Sequence, residues 1–260
     1  MPDQQASPAP TGRAGVAAGP ALAGRSDRAG SGGPVDQVWP AAREAGRQTA
    51  AVADRIRALD RLLEGRDRVG QQVHHRLEYT FALRGPERFA QALHRVLVGA
   101  RFPDGLTRTC AVAFDPWAAR LSVECRLPGP TVIPAARGYR ASTPAGPVRP
   151  VPRSPVEIRH RYADLVARLA VRTLADAFDA APPSLVTTVV LNGYGPVRGS
   201  VRVDVAETTP EGGFPGTGVH PLLVSAEITR TLWDRTDVDD PGLDPASCLR
   251  RLGADVSFGW

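Results

Sequence analysis

The stretch Thr107–Leu127, TRTCAVAFDPWAARLSVECRL, decides the fold class. Cys110, Val112 and Phe114 alternate with small or polar residues. After Asp115-Pro116 the alternation resumes, with Leu121, Val123, Cys125 and Leu127 set against Ser122, Glu124 and Arg126. A two-residue period places one set on a buried sheet face, and Asp-Pro is a turn signal. The segment therefore predicts an antiparallel hairpin with one solvated face. If Phe114 faces Leu121, Cys110 faces Cys125, which predicts two small core residues kept reduced.

Working outward toward the C-terminus, Val156 to Ala180 predicts a long helix. Ile158, Tyr162, Leu165, Leu169, Leu174 and Phe178 supply its stripe and Pro182-Pro183 stops it. Leu185–Leu191 is apolar on both faces, as a central strand is, with a turn expected at Asn192-Gly193. Val197 to Val205 alternates as its partner. A Gly/Pro-rich excursion from Thr208 to Pro221 precedes a strand Leu222–Ile228, a short helix Thr229–Arg235, and a last helix Asp244–Leu252 capped by Gly253. Between hairpin and long helix, eight prolines in residues 128–155 predict an edge strand followed by a Pro-rich connection.

Toward the N-terminus, helices are expected over Gln71–Leu83 and from Gly85-Pro86 onward. In Pro40–Glu64, Ala45, Val52 and Leu59 share one heptad position, and Thr49, Ile56 and Leu63 share another. That seam fits a helix docked on its own domain, and it also fits a homodimer through residues 41–64 using Val52, Ile56, Leu59 and Leu63. From Met1 to Val35, 20 residues are Ala, Gly or Pro and none is aromatic, so too little apolar area offsets chain entropy. The expected organisation is a disordered tail (1–36), a helical segment (37–84) and an α+β domain (85–260) whose mixed sheet is flanked by helices.

All 32 cationic side chains are arginines. Without lysine there is no standard Walker loop, no Schiff base and no ordinary restriction-nuclease triad. Charge is uneven: residues 1–155 carry 22 Arg against 13 acids, and residues 156–260 carry 10 against 14. An anion-binding surface is therefore expected in the first part. No apolar run approaches a membrane span and no signal-like core opens the chain, so a cytoplasmic protein without membrane contact is expected.

Two constellations bear on chemistry. Arg137, Arg140, Arg149, Arg153, Arg159 and Arg161 lie within 25 residues beside one acid, Glu157. Guanidinium forks suit phosphate, so this cluster is the candidate nucleic-acid surface, weighed against a solvated linker. Asp115, Glu124 and Arg126 are the candidate catalytic residues of a degenerate nuclease, with Arg where lysine belongs. Mg²⁺ is expected only under that second reading, and otherwise no metal or other cofactor. His74, His75, His94, His160 and His220 read as surface residues, and Asp237–Asp244 as an acidic turn ending in a helix N-cap.

Four stretches taken in order carry a family likeness: Arg101–Gly105 through Leu121–Gly129; Tyr162–Asp179 (YADLVARLAVRTLADAFD); Val189–Tyr194; and Leu222–Thr231 with Asp244–Ser257 (DPASCLRRLGADVS). They resemble the non-catalytic region upstream of the nuclease domain in actinobacterial Mrr-type restriction endonucleases, over about residues 86–257. The resemblance implies a recognition or assembly module that binds DNA or a separate nuclease subunit in a defence-type system. No position here matches the family's catalytic motif, so no catalytic residue carries over. A helical oligomerisation scaffold is the remaining alternative.

Overall fold

The hairpin forms in the predicted register. Strand β1 (Thr109–Asp115) runs antiparallel to β2 (Arg120–Arg126), with Phe114 opposite Leu121 and Cys110 opposite Cys125. Both cysteines are buried and free. The computed structural model describes residues 40–64, 66, 68–143, 146–196 and 220–257; the tail expected over residues 1–36 lies outside these.

Next to β2 in the sheet lies a strand that pairs with it in parallel, and a parallel pair needs a long crossover. Here the crossover holds a two-stranded ribbon, β3 (Ala136–Ala141) and β4 (Val148–Pro152), and a helix, α3 (Pro155–Ala180), before the chain re-enters the sheet as β5 (Thr188–Tyr194). Strand β6 (Leu222–Thr229) pairs antiparallel with β5, and two-residue β7 (Asp255–Val256) pairs with β6. The order is β1-β2-β5-β6-β7, a mixed sheet in an α+β fold.

Helix α3 fills the interior. Ser154 Oγ accepts the Glu157 N–H at 3.1 Å, Pro155 occupies the first turn, and most residues from Tyr162 to Ala180 are buried. Alanines 167, 170, 175 and 177 let neighbours approach on several sides at once. Tyr162 donates its hydroxyl to Pro128 O at 2.8 Å, and burial pushes its pKa up to about 12. Helix α2 (Gln71–Val98) bends at Gly85, whose φ of +78° suits glycine. It brings Phe81 and Phe89 onto Phe114 of β1, with ring centroids 5.8 and 4.6 Å apart. Trp233, in the short helix Arg230–Trp233, stacks on Phe178 of α3 at 5.1 Å.

Several expectations change. Asn192-Gly193 is not a turn: β5 continues to Tyr194, where Ser225 Oγ donates to Asn192 Oδ1 at 2.9 Å. A Cβ on Gly193 would lie 2.9 Å from Leu127 Cδ1, so glycine serves close packing there and not chain reversal. The partner strand expected at Val197–Val205 lies outside the described residues. The Pro-rich stretch is not an edge strand of the main sheet, because β3 and β4 pair only with each other; Val132 sits in a short 3₁₀ turn.

Helix α1 (Pro40–Asp60) is spoken for within its own chain. Thr49, on the expected seam, accepts the Tyr139 N–H at 2.9 Å and lies over Gly138 of β3. Ile56 and Leu59 are buried and Leu63 packs on the core, with Val52 half-buried between them. The burial argument for a second helix therefore fails at Ile56 and Leu59, which their own domain already covers. Residues Trp39–Trp260 form one compact unit, so the boundary expected after residue 84 is a kink inside α2.

His74 and His94 are not simple surface residues. The first reaches Asp179 O at 2.7 Å and the second Cys110 O at 3.0 Å, joining α2 to the end of α3 and to β1.

Charge enters the core at Asp176. Asp176 of α3 lies 2.8 Å from Arg108 Nη2 and 3.0 Å from Arg172 Nε, and all three side chains are at most 10% exposed. Removing one partner of such a group strands the others. We expect Asp176→Ala to lower unfolding free energy by about 3–5 kcal/mol in urea titrations, and Asp176→Asn, which keeps an acceptor, to cost less. A second cluster joins Arg66 to Asp179 and Asp239 at 2.9 and 3.0 Å. The Arg66 hydrogen bond, then that of Arg68, holds the Asp239 carboxyl below its ordinary value of 3.8. Its contribution is present above that pH and is lost as pH falls through the lower folded value. Asp239→Asn should therefore flatten the loss of stability below about pH 4 in acid titrations followed by circular dichroism.

Candidate nucleic-acid interface

The two sets of candidate residues fare differently once they are placed. Asp115 ends β1 opposite Arg120, and its carboxylate accepts the N–H groups of Trp117 (3.0 Å) and Ala118 (3.3 Å). It is a turn cap. Glu124 pairs with Ala111, four residues back along β1. At the rise of an antiparallel strand this puts the two positions roughly 13–14 Å apart along the ladder. One cation cannot take both as direct ligands. Asp115 and Glu124 share the solvated sheet face but not a site, and the degenerate-nuclease assignment of Asp115, Glu124 and Arg126 is corrected on that ground. Arg126 faces Thr109 and Tyr194 across the neighbouring strands.

The arginine cluster divides in two. Arg153 is withdrawn from the surface, its side chain 6% exposed against Glu157. Arg161 lies 3.8 Å from Glu157 and 4.0 Å from Asp60. Arg159, on the exposed side of α3, has no ion pair among the described residues.

The other three sit on the ribbon. Arg137, Arg140 and Arg149 are exposed, and none has an ion pair among the described residues. Arg140 stands directly opposite Arg149 in the β3–β4 ladder. Like charges facing each other across strands are unfavourable, and the ribbon from Ala136 to Pro152 carries no acid to relieve them. Its base is anchored on α1, where Thr49 also donates to Tyr139 O at 3.3 Å, so the strand carrying Arg140 is held and not free-floating. Two arginines opposite each other on an anchored ribbon place two cations where adjacent anionic oxygens could be met.

Comparison with family models, with curated proteins and with solved structures returns no match to this chain.

Sequence reading found the ribbon arginines by density, but not their pairing. A register needs both strands identified, and the prolines at 147, 150 and 152 concealed β4. It also missed the polar cleft between α2 and α3, whose parts are scattered from Arg68 to Asp176 with no local motif. From the placement of the carboxylates, millimolar Mg²⁺ should leave the thermal midpoint unchanged. Asp115→Ala should cost about 1 kcal/mol, as lost caps do. Calorimetry with and without the ion checks both.

Proposed function

We propose that this chain is a non-catalytic binding module that grips the phosphate backbone of DNA with the β3–β4 ribbon. The observation that carries the reading is exposed Arg140 opposite exposed Arg149, with exposed Arg137 on the same strand as Arg140, on a strand pair that holds no acid. A two-stranded ribbon fits a major groove, and guanidinium pairs bind adjacent phosphate oxygens. The likeness to the region upstream of Mrr-type nuclease domains favours DNA over other polyanions. It also supplies the wider setting, a defence-type system in which a separate nuclease subunit does the cutting. In this reading α1 holds the ribbon in place, and the sheet and α3 take no part in chemistry.

Fluorescence anisotropy of a labelled duplex across a salt series tests the proposal. Three phosphate contacts give a log–log salt slope of about −2.7, or roughly a 40-fold loss of affinity between 50 and 200 mM salt. The double variant Arg140→Ser/Arg149→Ser should reduce that slope by about 2 and bind at least tenfold more weakly, with an unchanged circular dichroism spectrum. Absence of binding at 50 mM salt, or a double variant that binds like the parent chain, overturns the reading.

A further inference from the structure

Away from the ribbon, a cavity of about 260 Å³ opens between the start of α2, its C-terminal end and α3. Arg68, Arg101 and Arg172 contribute cations and Asp176 the one described acid, while Val73 and Val96 are among its apolar walls. The charges are unequal in availability. Arg68 binds Asp239, and Asp176 is shared by Arg108 and Arg172. Arg101 has no ion pair among the described residues.

Arg172 is 5% exposed. It spends Nε on Asp176 and Nη1 on Leu62 O at 3.0 Å, leaving Nη2 without a hydrogen bond among the described residues. An Arg172 Nη2 that makes no hydrogen bond among the described residues, an exposed Arg101 and the apolar sides leave cationic donors in excess over the single acid, whose carboxylate Arg108 and Arg172 already hold. Gly70, at the head of α2, also lines the cavity and brings no capping side chain to the helix N-terminus, while Leu97, Gly99 and Ala100 line it from the helix's C-terminal end.

The geometry points to a binding site for a small organic anion, a phosphate or carboxylate head on a short apolar body. The head meets Arg101 and Arg172 and the body lies against Val73 and Val96. The volume, just below the usual range of ligand sites, suits a compact molecule and excludes a polymer, so this site is separate from the ribbon and does not depend on its role.

Isothermal titration of the full chain with phenyl phosphate tests the assignment, with inorganic phosphate and phenol as separate arms. Phenyl phosphate should bind at millimolar concentration or tighter, and inorganic phosphate more weakly. Arg101→Ala should weaken phenyl phosphate about tenfold or more, the loss expected for one charged hydrogen bond, without moving the thermal midpoint. The Arg140→Ser/Arg149→Ser variant should bind the probe as the parent does. No heat from any arm, inorganic phosphate or phenol binding as well as phenyl phosphate, affinity insensitive to Arg101→Ala, or affinity lost in the ribbon variant would each overturn it.

Discussion

Asp176 is the point at which the structure is tied together. Its carboxylate lies inside a helix that is otherwise apolar on most sides, and burying it alone would be prohibitive. Two arginines reach it from different directions. Arg108, just before β1, also donates to Leu97 O at the end of α2. Arg172, one turn back on α3, also donates to Leu62 O just after α1. Phe102 lies against both guanidinium groups, at 4.4 and 5.8 Å from its ring centre. One acid thereby fixes the relative positions of α1's end, α2's end, the approach to the hairpin and the central helix. Apolar packing is tolerant of small slides, but a buried charge with two planar partners is not, so this cluster sets the register of helices against sheet.

Arginine suits that work where lysine would not. Its planar fork offers five donors and satisfies a carboxylate and a carbonyl at once. Arg230 shows the same use without an acid: its three nitrogens reach Val186 O, Phe178 O and Ala181 O at 3.1, 3.2 and 2.9 Å. Phe178 and Ala181 end α3, whose last carbonyls have no partners within the helix, and a cation there also answers the helix dipole. Burial lowers the Arg230 pKa, against smaller opposing pulls from Asp234 and Asp179. A chain with 32 arginines thus spends a share of them as internal mortar, and its formal charge overstates the cation presented to a partner.

Local pattern carried much of this fold. The hairpin register followed from alternation alone because one face is buried and a one-residue slip would expose every apolar side chain. Helix α3 was legible from its stripe and flanking prolines, and the N-cap role of Asp244 from its place before Pro245; its side chain accepts the Ser247 N–H at 3.1 Å. What escaped was set by contacts distant in sequence. The heptad seam of α1 was real, but its partner was a ribbon ninety residues away, joined through Thr49 and Tyr139. Asn192-Gly193 looked like a reversal because glycine's other use, admitting the Leu127 side chain, depends on a neighbour that only the folded sheet supplies. The candidate site followed the same division: arginine density was visible, whereas which arginines are exposed depended on Glu157 and Asp60 being near.

That division explains where a binding surface can sit on this architecture. Arginines that meet carbonyls or carboxylates inside the core are fixed by folding and cannot answer to a ligand without loosening it. The ribbon differs, because it is inserted in the crossover between β2 and α3 and contributes no strand to the main sheet. Its charges can therefore repel one another across the ladder at little expense to the core, whose ties run through Asp176 and Arg230. A parallel β2–β5 pair demands a long connection in any case, and this chain uses part of that length to present three exposed arginines on a ribbon anchored to α1.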